Sequence, residues 1–280
     1  MPFTISHVAA VLPMRRWLRH GGLFSAAVIG SMAPDFGVLL PFHVSRAATH
    51  GLHALLSFCL PVGLLAWWLF QTLIKPAWAE VLPGGWRLRP NAAIRALRLS
   101  DPRAWLAAGA AIVCGALTHL CWDAFTHEDG RGVQMLPFLD DYYGPELVGH
   151  PIHLYRWLQH GSSLLGLAAV VYAAWLWTRG PFVPAGGPAG ADAGNATGTR
   201  ARMLLGASER HYWLLAYLAV PALVLAGALL LGFPHHYPWT TLGDTLTNVA
   251  IIALDGAGIS LLLVSALIRL RIARAAPLDG

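Results

Sequence analysis

Residues 104–124 read AWLAAGAAIVCGALTHLCWDA, a run with a single charged side chain, Asp123. A helix of about 20 apolar residues is what a hydrocarbon core of roughly 30 Å requires. Ser100-Asp101-Pro102 stands just ahead of it. A capping carboxylate followed by proline at the first helical position marks a helix start. Working outward, four more runs of this kind lie at 51–74, 155–178, 212–232 and 246–268. A sixth, 21–40, is weaker because Pro34-Asp35 and other polar breaks interrupt it. Composition agrees, with 56% hydrophobic residues, 12% charged residues and a mean hydropathy of +0.54; soluble domains carry about 25% charged residues. The expected fold is all-α: a polytopic helical membrane protein with five full transmembrane helices plus an N-terminal helical hairpin or sixth span. Along the chain this divides into a membrane core at 1–178 that bears the polar motifs, a flexible cytoplasmic linker at 179–211, and two C-terminal transmembrane helices at 212–280.

The net charge of +5 does not point to nucleic acid, because the basic residues sit in loops between apolar runs. Residues 75–103 hold Lys75, the one lysine, with Arg87, Arg89, Arg95, Arg98 and Arg103; residues 179–211 and the tail are also arginine-bearing. Residues 125–154 hold Arg131 and Arg-free acidic stretches, and 233–245 hold neither Lys nor Arg. Such alternation follows the positive-inside rule and places the C-terminus in the cytoplasm. The implied partner is the lipid bilayer, and the implied location is the bacterial cytoplasmic (inner) membrane, spanned several times. Cys59, Cys114 and Cys121 fall within apolar runs at no metal-binding or disulfide spacing. There is no GxSxG, P-loop, Rossmann or CxxCH signature, so serine hydrolase, nucleotidase and haem readings lack support.

The first fifty residues allow two arrangements. Either 21–40 spans the membrane, or 5–34 forms a short helical hairpin turning at His20-Gly21-Gly22. The hairpin would return Asp35 to the level of His7, since the two ends of an out-and-back pair lie together.

The chemistry concentrates in Thr118-His119-Leu120-Cys121-Trp122-Asp123-Ala124-Phe125-Thr126-His127. His119, Asp123 and His127 are spaced i, i+4, i+8 and share one helix stripe. Imidazole and carboxylate one turn apart suit a divalent ion; the competing reading is three polar residues lining a helix contact. Chain direction sharpens the choice. His50 and His53 begin one expected helix, His119 to His127 end the next, and His150, His153 and His160 begin the third. A helix start, the following helix end and the next helix start share a membrane face whichever way the protein is inserted. Intramembrane ionisable residues are costly and tend to mark function, which also singles out Asp255 in the last run. Trp67-Trp68 and Trp175 with Trp177 read as an interfacial aromatic belt.

Several of these motifs occur together in a family. Met1-Pro2-Phe3-Thr4-Ile5-Ser6-His7, Gly30-Ser31-Met32-Ala33-Pro34-Asp35, Thr49-His50, Thr118-His119 with Asp123 and Phe125-Thr126-His127, and Gln159-His160-Gly161-Ser162-Ser163 resemble the DUF4184 family of bacterial membrane proteins. The series is also similar to the inner-membrane DUF457 group, described as metal-dependent hydrolases. The resemblance implies metal ligands at His7, Asp35, His50, His119 and Asp123, with His127 and His160 as secondary ligands or proton-transfer groups. It implies a divalent metal cofactor, zinc by the nature of the ligands, as one or two ions. One departure matters: the related group often reads Thr-His-Ser, whereas Gly51 follows Thr49-His50 here, which removes a hydroxyl from beside the site.

The function expected is a metal-dependent hydrolase acting on a lipid or other envelope substrate. Its rivals are a transporter or metal-handling protein, and a membrane protein whose metal only pins the helices. Transport sites lie near mid-bilayer, and helix ends do not.

Overall fold

In the computed structural model the described residues are 4–18, 22–40, 44–82, 101–143, 152–179, 205–231 and 242–275. Among them every regular element is helical, apart from one isolated antiparallel bridge between Tyr142 and His153. Five helices are long and apolar enough to cross a membrane: Leu55–Val81, Pro102–Thr126, Leu154–Trp177, Ala207–Leu230 and Asn248–Arg274. This is a polytopic helical membrane fold. The expected linker lies outside the described residues except at its two ends, as do the loop after Leu82 and the loop between the last two helices.

The chain packs as two units, Met1–Trp67 with Leu99–Gly180, and Trp68–Arg98 with Pro181–Gly280. The first opens with a 3-10 turn, Thr4–His7, then α1 (Val8–Val11) and a second 3-10 turn, Leu12–Arg16. The chain returns through Gly22 into α2 (Leu23–Met32), which runs on as a 3-10 stretch, Ala33–Leu39. The two ends of this region meet where Thr4 Oγ1 donates to Asp35 Oδ2, as the hairpin requires. Leu23–Leu39 is shorter than any of the five long helices. Gly22 sits at φ 72°, a left-handed conformation that only glycine adopts at little cost. The described part of the expected turn, Gly22, lies where the sequence placed it.

The Gly22 carbonyl accepts from Ala26 N, Ser25 Oγ and the indole nitrogen of Trp67 at 3.1 Å. Trp67 is fully buried and meets Trp105 edge-to-face at 5.4 Å. It is thus a clamp on the hairpin and not part of an aromatic belt. A buried indole N–H needs an acceptor, and the carbonyl that precedes a helix is one. Trp68 and Trp175 remain exposed.

The short helix α3 (Arg46–His50) starts at Ser45, whose hydroxyl accepts from Ala48 N. Next comes α4 (Leu55–Val81), in which Leu55–Cys59 and Phe70–Ile74 are π-helical. Each widened stretch ends two residues before a proline, Pro61 or Pro76. A proline removes one helical N–H and crowds the carbonyl four residues back, and an added residue per turn relieves both. The central helix is α5 (Pro102–Thr126), capped by Asp101, whose carboxylate accepts from Arg103 N. A short α6 (Arg131–Met135) and the Tyr142–His153 bridge lead into α7 (Leu154–Arg179).

α2 and α5 cross at very close range. A Cβ on Gly30 would collide with the Ile112 backbone, and one on Gly115 with the Ala27 carbonyl and Ser31 nitrogen. Lipid-embedded helices gain little from hydrophobic exclusion, so small residues that admit backbone contact decide where they pack. The buried stripe of α5 runs Ala108, Ile112, Gly115, His119, Asp123 at three- and four-residue steps. The polar pair is therefore carried on the packed face of the helix.

The second unit joins the later turns of α4 to α8 (Ala207–Leu231) and α9 (Leu242–Ala275). Residues from Trp68 onward go with these helices because Ala77 and Val81 share a buried cluster with Leu205, Val264, Ile268 and Ile272. Gly256 allows α9 to approach Pro221 of α8, where an added Cβ would lie 3.0 Å from the proline Cα. Asp255 lies beside this contact, half-buried. Tyr217 and Ser265 hydroxyls meet at 2.8 Å, and Lys75 donates to Gln71 Oε1 at 2.8 Å. A cavity of about 310 Å³ is walled by Trp78, Leu214, Pro221 and Leu261, among others.

Replacing Gly115 or Gly30 with valine is expected to destabilise the protein by at least the roughly 1–3 kcal/mol typical of overpacking. Gly161→Ala, which meets open space, is expected to be neutral or slightly stabilising. Thermal unfolding in detergent micelles checks both, and equal behaviour of Gly115→Val and Gly161→Ala would refute the close crossing.

Candidate metal centre

Four elements of the first unit supply the polar cluster. The N-terminal turn brings Thr4 and His7, the stretch after α2 brings Asp35, α3 brings His50, and the last turns of α5 bring His119 and Asp123. Five sequence-selected residues, His7, Asp35, His50, His119 and Asp123, lie together and are buried or nearly so. The cluster sits at helix ends: Asp123 is in the last turn of α5, and His50 precedes α4.

Two of the three imidazoles are oriented from outside the cluster. His119 Nδ1 lies 2.8 Å from the Ser31 carbonyl. A carbonyl only accepts, so Nδ1 carries the proton and Nε2 turns its lone pair inward. For His50, Nδ1 lies 2.7 Å from Thr49 Oγ1, whose own hydroxyl donates to the Arg46 carbonyl at 3.3 Å. Thr49 thus holds the Nδ1 side of the ring, and Nε2 again faces in. Outer partners of this kind fix the tautomer of metal-ligating histidines. His7 stacks on His119 with ring centroids 3.8 Å apart and planes 17° from parallel.

The inward atoms have a consistent spacing. His50 Nε2 is 3.3 Å from Asp35 Oδ1 and 3.6 Å from Asp123 Oδ2. His119 Nε2 is 3.7 Å and 3.5 Å from the same two oxygens. The two nitrogens and two oxygens alternate around a ring with these four distances as its sides. A tetrahedral ion with bonds of about 2.0–2.2 Å holds its ligands about 3.3–3.6 Å apart. Charge-assisted hydrogen bonds would instead draw nitrogen and oxygen to about 2.7–2.9 Å. His7 Nε2 stands 3.6 Å from the other oxygen of Asp123, Oδ1. Two ligand triads can be drawn, His7-His119-Asp123 and Asp35-His50-His119. They share His119, and that ring has one inward nitrogen.

The residues fit a cation on a second ground. His50 Nε2, His119 Nε2 and Asp123 Oδ1 are buried with no hydrogen-bond partner. Lone pairs facing lone pairs in a buried site are costly unless positive charge lies between them. Burial, with the neighbouring His119 adding to it, pushes the His7 ring down to about 4, so it is neutral at pH 7 and available as a ligand. Burial acts to raise the Asp35 carboxyl, but the His50 and His119 rings and the 2.8 Å bond from Thr4 Oγ1 outweigh it and hold Asp35 ionised.

His127, just past the end of α5, borders the cluster with Nδ1 3.6 Å from Asp123 Oδ2. Burial lowers its basicity against the pull of Asp123. Its Nε2 lies 3.0 Å from the Gln159 amide, whose orientation sets the tautomer of the ring. His160 is not brought in. It lies on the exposed side of α7, and among the described residues no hydrogen bond or ion pair joins it to the two carboxylates. The Gln159-His160-Gly161-Ser162-Ser163 motif reaches the site through Gln159. Ser163 anchors to the Gln159 carbonyl at 2.6 Å, and Ser162 accepts from the Trp122 indole at 3.1 Å.

Sequence reasoning also passed over Arg46, which donates to Asp123 Oδ2 at 3.1 Å and lies 3.6 Å from the exposed Asp129. Its place just before Thr49-His50 was the available signal. Of the other histidines, His153 is tied to Asp140 by a backbone contact and a 3.1 Å ion pair, and His53 is exposed. His43 and His150 lie outside the described residues.

Fold and site together define a polytopic helical membrane protein with a buried His/Asp cluster at its helix ends. The chain belongs to the DUF4184 family, a domain of unknown function whose family model matches residues 1–266. No match was found among curated proteins or among solved structures.

Two outcomes test the geometry. The neutral His7 ring binds fewer protons folded than unfolded between about pH 4 and its ordinary 6.5. Its contribution is therefore complete above that window and falls as pH drops through it. Metal-free protein should unfold at lower temperature as pH falls towards 4, and His7→Phe, which keeps a stacking ring, should flatten the dependence. Separately, Gln159→Leu removes the hydrogen bond to the half-buried His127 ring and should cost about 0.5–1.5 kcal/mol, whereas His160→Ala should cost almost nothing. Equal losses from the two substitutions would contradict this assignment.

Proposed function

We propose that this protein is a metal-dependent hydrolase of the bacterial cytoplasmic membrane, acting on a substrate held at the membrane surface. The observation that carries the reading is the spacing of 3.3–3.7 Å between the His50 and His119 Nε2 atoms and the Asp35 Oδ1 and Asp123 Oδ2 oxygens, with both nitrogens unpartnered. That donor set suits zinc. Either triad, Asp35-His50-His119 or His7-His119-Asp123, would hold an ion with three protein ligands and leave a position for water. When bound, such an ion supplies Lewis acidity and a water of lowered pKa.

The chain's own residues do the rest. Ser31 and Thr49 aim the two rings, and Thr4 holds Asp35 from the far side. His127, less buried than the ligands and bordering Asp123, is placed to take a proton from an attacking water and return it to a leaving group. General acid–base help of this kind is typically worth 10²–10⁴-fold. Position at the helix ends favours chemistry on a lipid or envelope substrate over passage through the bilayer. The arginine-rich 75–103 and 179–211 segments support a cytoplasmic C-terminus and an extracytoplasmic site.

One observation favours a second reading. The ligands come from the hairpin, α3 and α5 together, so an ion among them would pin these elements to one another as a structural metal does.

Metal content beside turnover on phospho- and acyl-ester lipids separates these readings. His119→Ala and Asp123→Ala are expected to lose most of the bound metal and all activity. His127→Ala is expected to keep the metal and slow turnover on the order of a hundredfold or more. Wild-type protein that folds and holds no metal would end the hydrolase reading. Tight metal with no turnover on any ester would favour the structural pin.

A further inference from the structure

We propose that Arg46 makes this site selective for an anionic phosphoester, the guanidinium binding a non-bridging oxygen of the group that is cleaved. The inference rests on the metal-dependent reading above and names its substrate class.

Arg46 is the first residue of α3, four positions before His50. Its side chain is about one-third exposed and joins the buried cluster to the outside. Inward, Nη2 donates to Asp123 Oδ2 at 3.1 Å, the same oxygen that lies 3.5–3.6 Å from His50 Nε2 and His119 Nε2. Outward, Nε lies 3.6 Å from Asp129, a carboxylate 72% exposed. A guanidinium cannot shed its charge, so it needs an anion wherever the protein holds it. Without a metal, Asp123 is that anion. A divalent ion among these residues takes up the charge of the two buried carboxylates, and Arg46 then faces the open side of the site with the water-screened Asp129 as its remaining ion-pair partner among the described residues.

The charge count points to the ligand. Two buried carboxylates and one divalent ion sum to zero, and Arg46 leaves the inner site at +1. A carboxyl ester or amide is neutral in its ground state and does nothing for that charge. A phosphodiester brings one negative charge, and its oxygens suit the planar fork of N–H donors that a guanidinium presents. Arg46 already lies within hydrogen-bond reach of an oxygen at the cluster. A phosphoryl oxygen near that position would meet both the cation and the arginine, with His127 on the same side of Asp123.

The test uses full-length protein in detergent micelles, loaded with zinc, and measures by calorimetry the binding of inorganic phosphate and, in a second arm, of micellar phosphatidylglycerol. Acetate serves as the control anion. Wild type is expected to bind phosphate or the phospholipid in preference to acetate. Arg46→Ala should keep its metal stoichiometry and weaken that binding roughly tenfold to a hundredfold, the range for a hydrogen bond to a charged group. Arg46→Lys should recover part of the loss. The arm that responds to Arg46→Ala identifies the source, a lipid headgroup or a soluble phosphate. The proposal is overturned if metal-loaded wild type binds neither, or if Arg46→Ala binds both as tightly as wild type does. Wild type that takes up no zinc would instead remove the metal reading itself, so the two failures are distinct.

Discussion

The contact on which the site depends is the hydrogen bond between His119 Nδ1 and the Ser31 carbonyl. It exists because α2 and α5 touch backbone to backbone at Gly30 and Gly115. Ser31 follows Gly30 directly, and His119 follows Gly115 by one turn, so the crossing point and the bond are one turn apart on the same stripe. A side chain at either glycine would move α2 outward and take the carbonyl out of reach. With that bond in place, His119 has one possible inward atom. Asp35, at the end of the same α2 limb, is brought opposite it.

The N-terminal hairpin follows the same logic. Its two limbs return the chain to its starting level. Thr4 on one limb then meets Asp35 on the other, and His7 faces Asp123. Trp67 secures the far end by donating to the Gly22 carbonyl. A cluster of buried charge and lone pairs at a helix end is expensive to assemble, and here the helices on three sides are fixed by contacts that do not involve the cluster. A cation placed among these atoms would meet ligands already oriented.

Around this centre the polar groups divide by depth. Ser31, Thr49 and Thr4 lie behind the ligands and hold them. Arg46, His127 and Gln159 lie on the open side, where exposure rises from the buried ligands to Asp129. Groups behind the ligands can only set geometry; groups in front can meet a substrate. The second unit, with its apolar cavity and the buried Lys75–Gln71 pair, takes no part in this arrangement.

Sequence by itself determined the class of fold and most of the ligand set. Five long apolar runs can satisfy their backbone groups in lipid only as helices. Because helix ends alternate between faces, His50, His119 and Asp123 had to be near one another. The i, i+4 spacing put His119 and Asp123 on one stripe. What tertiary structure alone decided was everything set by side-chain direction across elements distant in sequence. His160 and Gln159 are neighbours in one motif, yet α7 is rotated so that Gln159 reaches His127 and His160 does not. Arg46, in the sequence only one more loop arginine, reaches a carboxylate 77 residues away. Trp67, in a pair typical of a membrane interface, is buried because its indole meets the hairpin carbonyl. The later turns of α4 join the C-terminal helices because Ala77 and Val81 find their packing there. Periodicity states which residues share a face, but the rotation of each helix about its own axis comes from the contacts it makes with its neighbours.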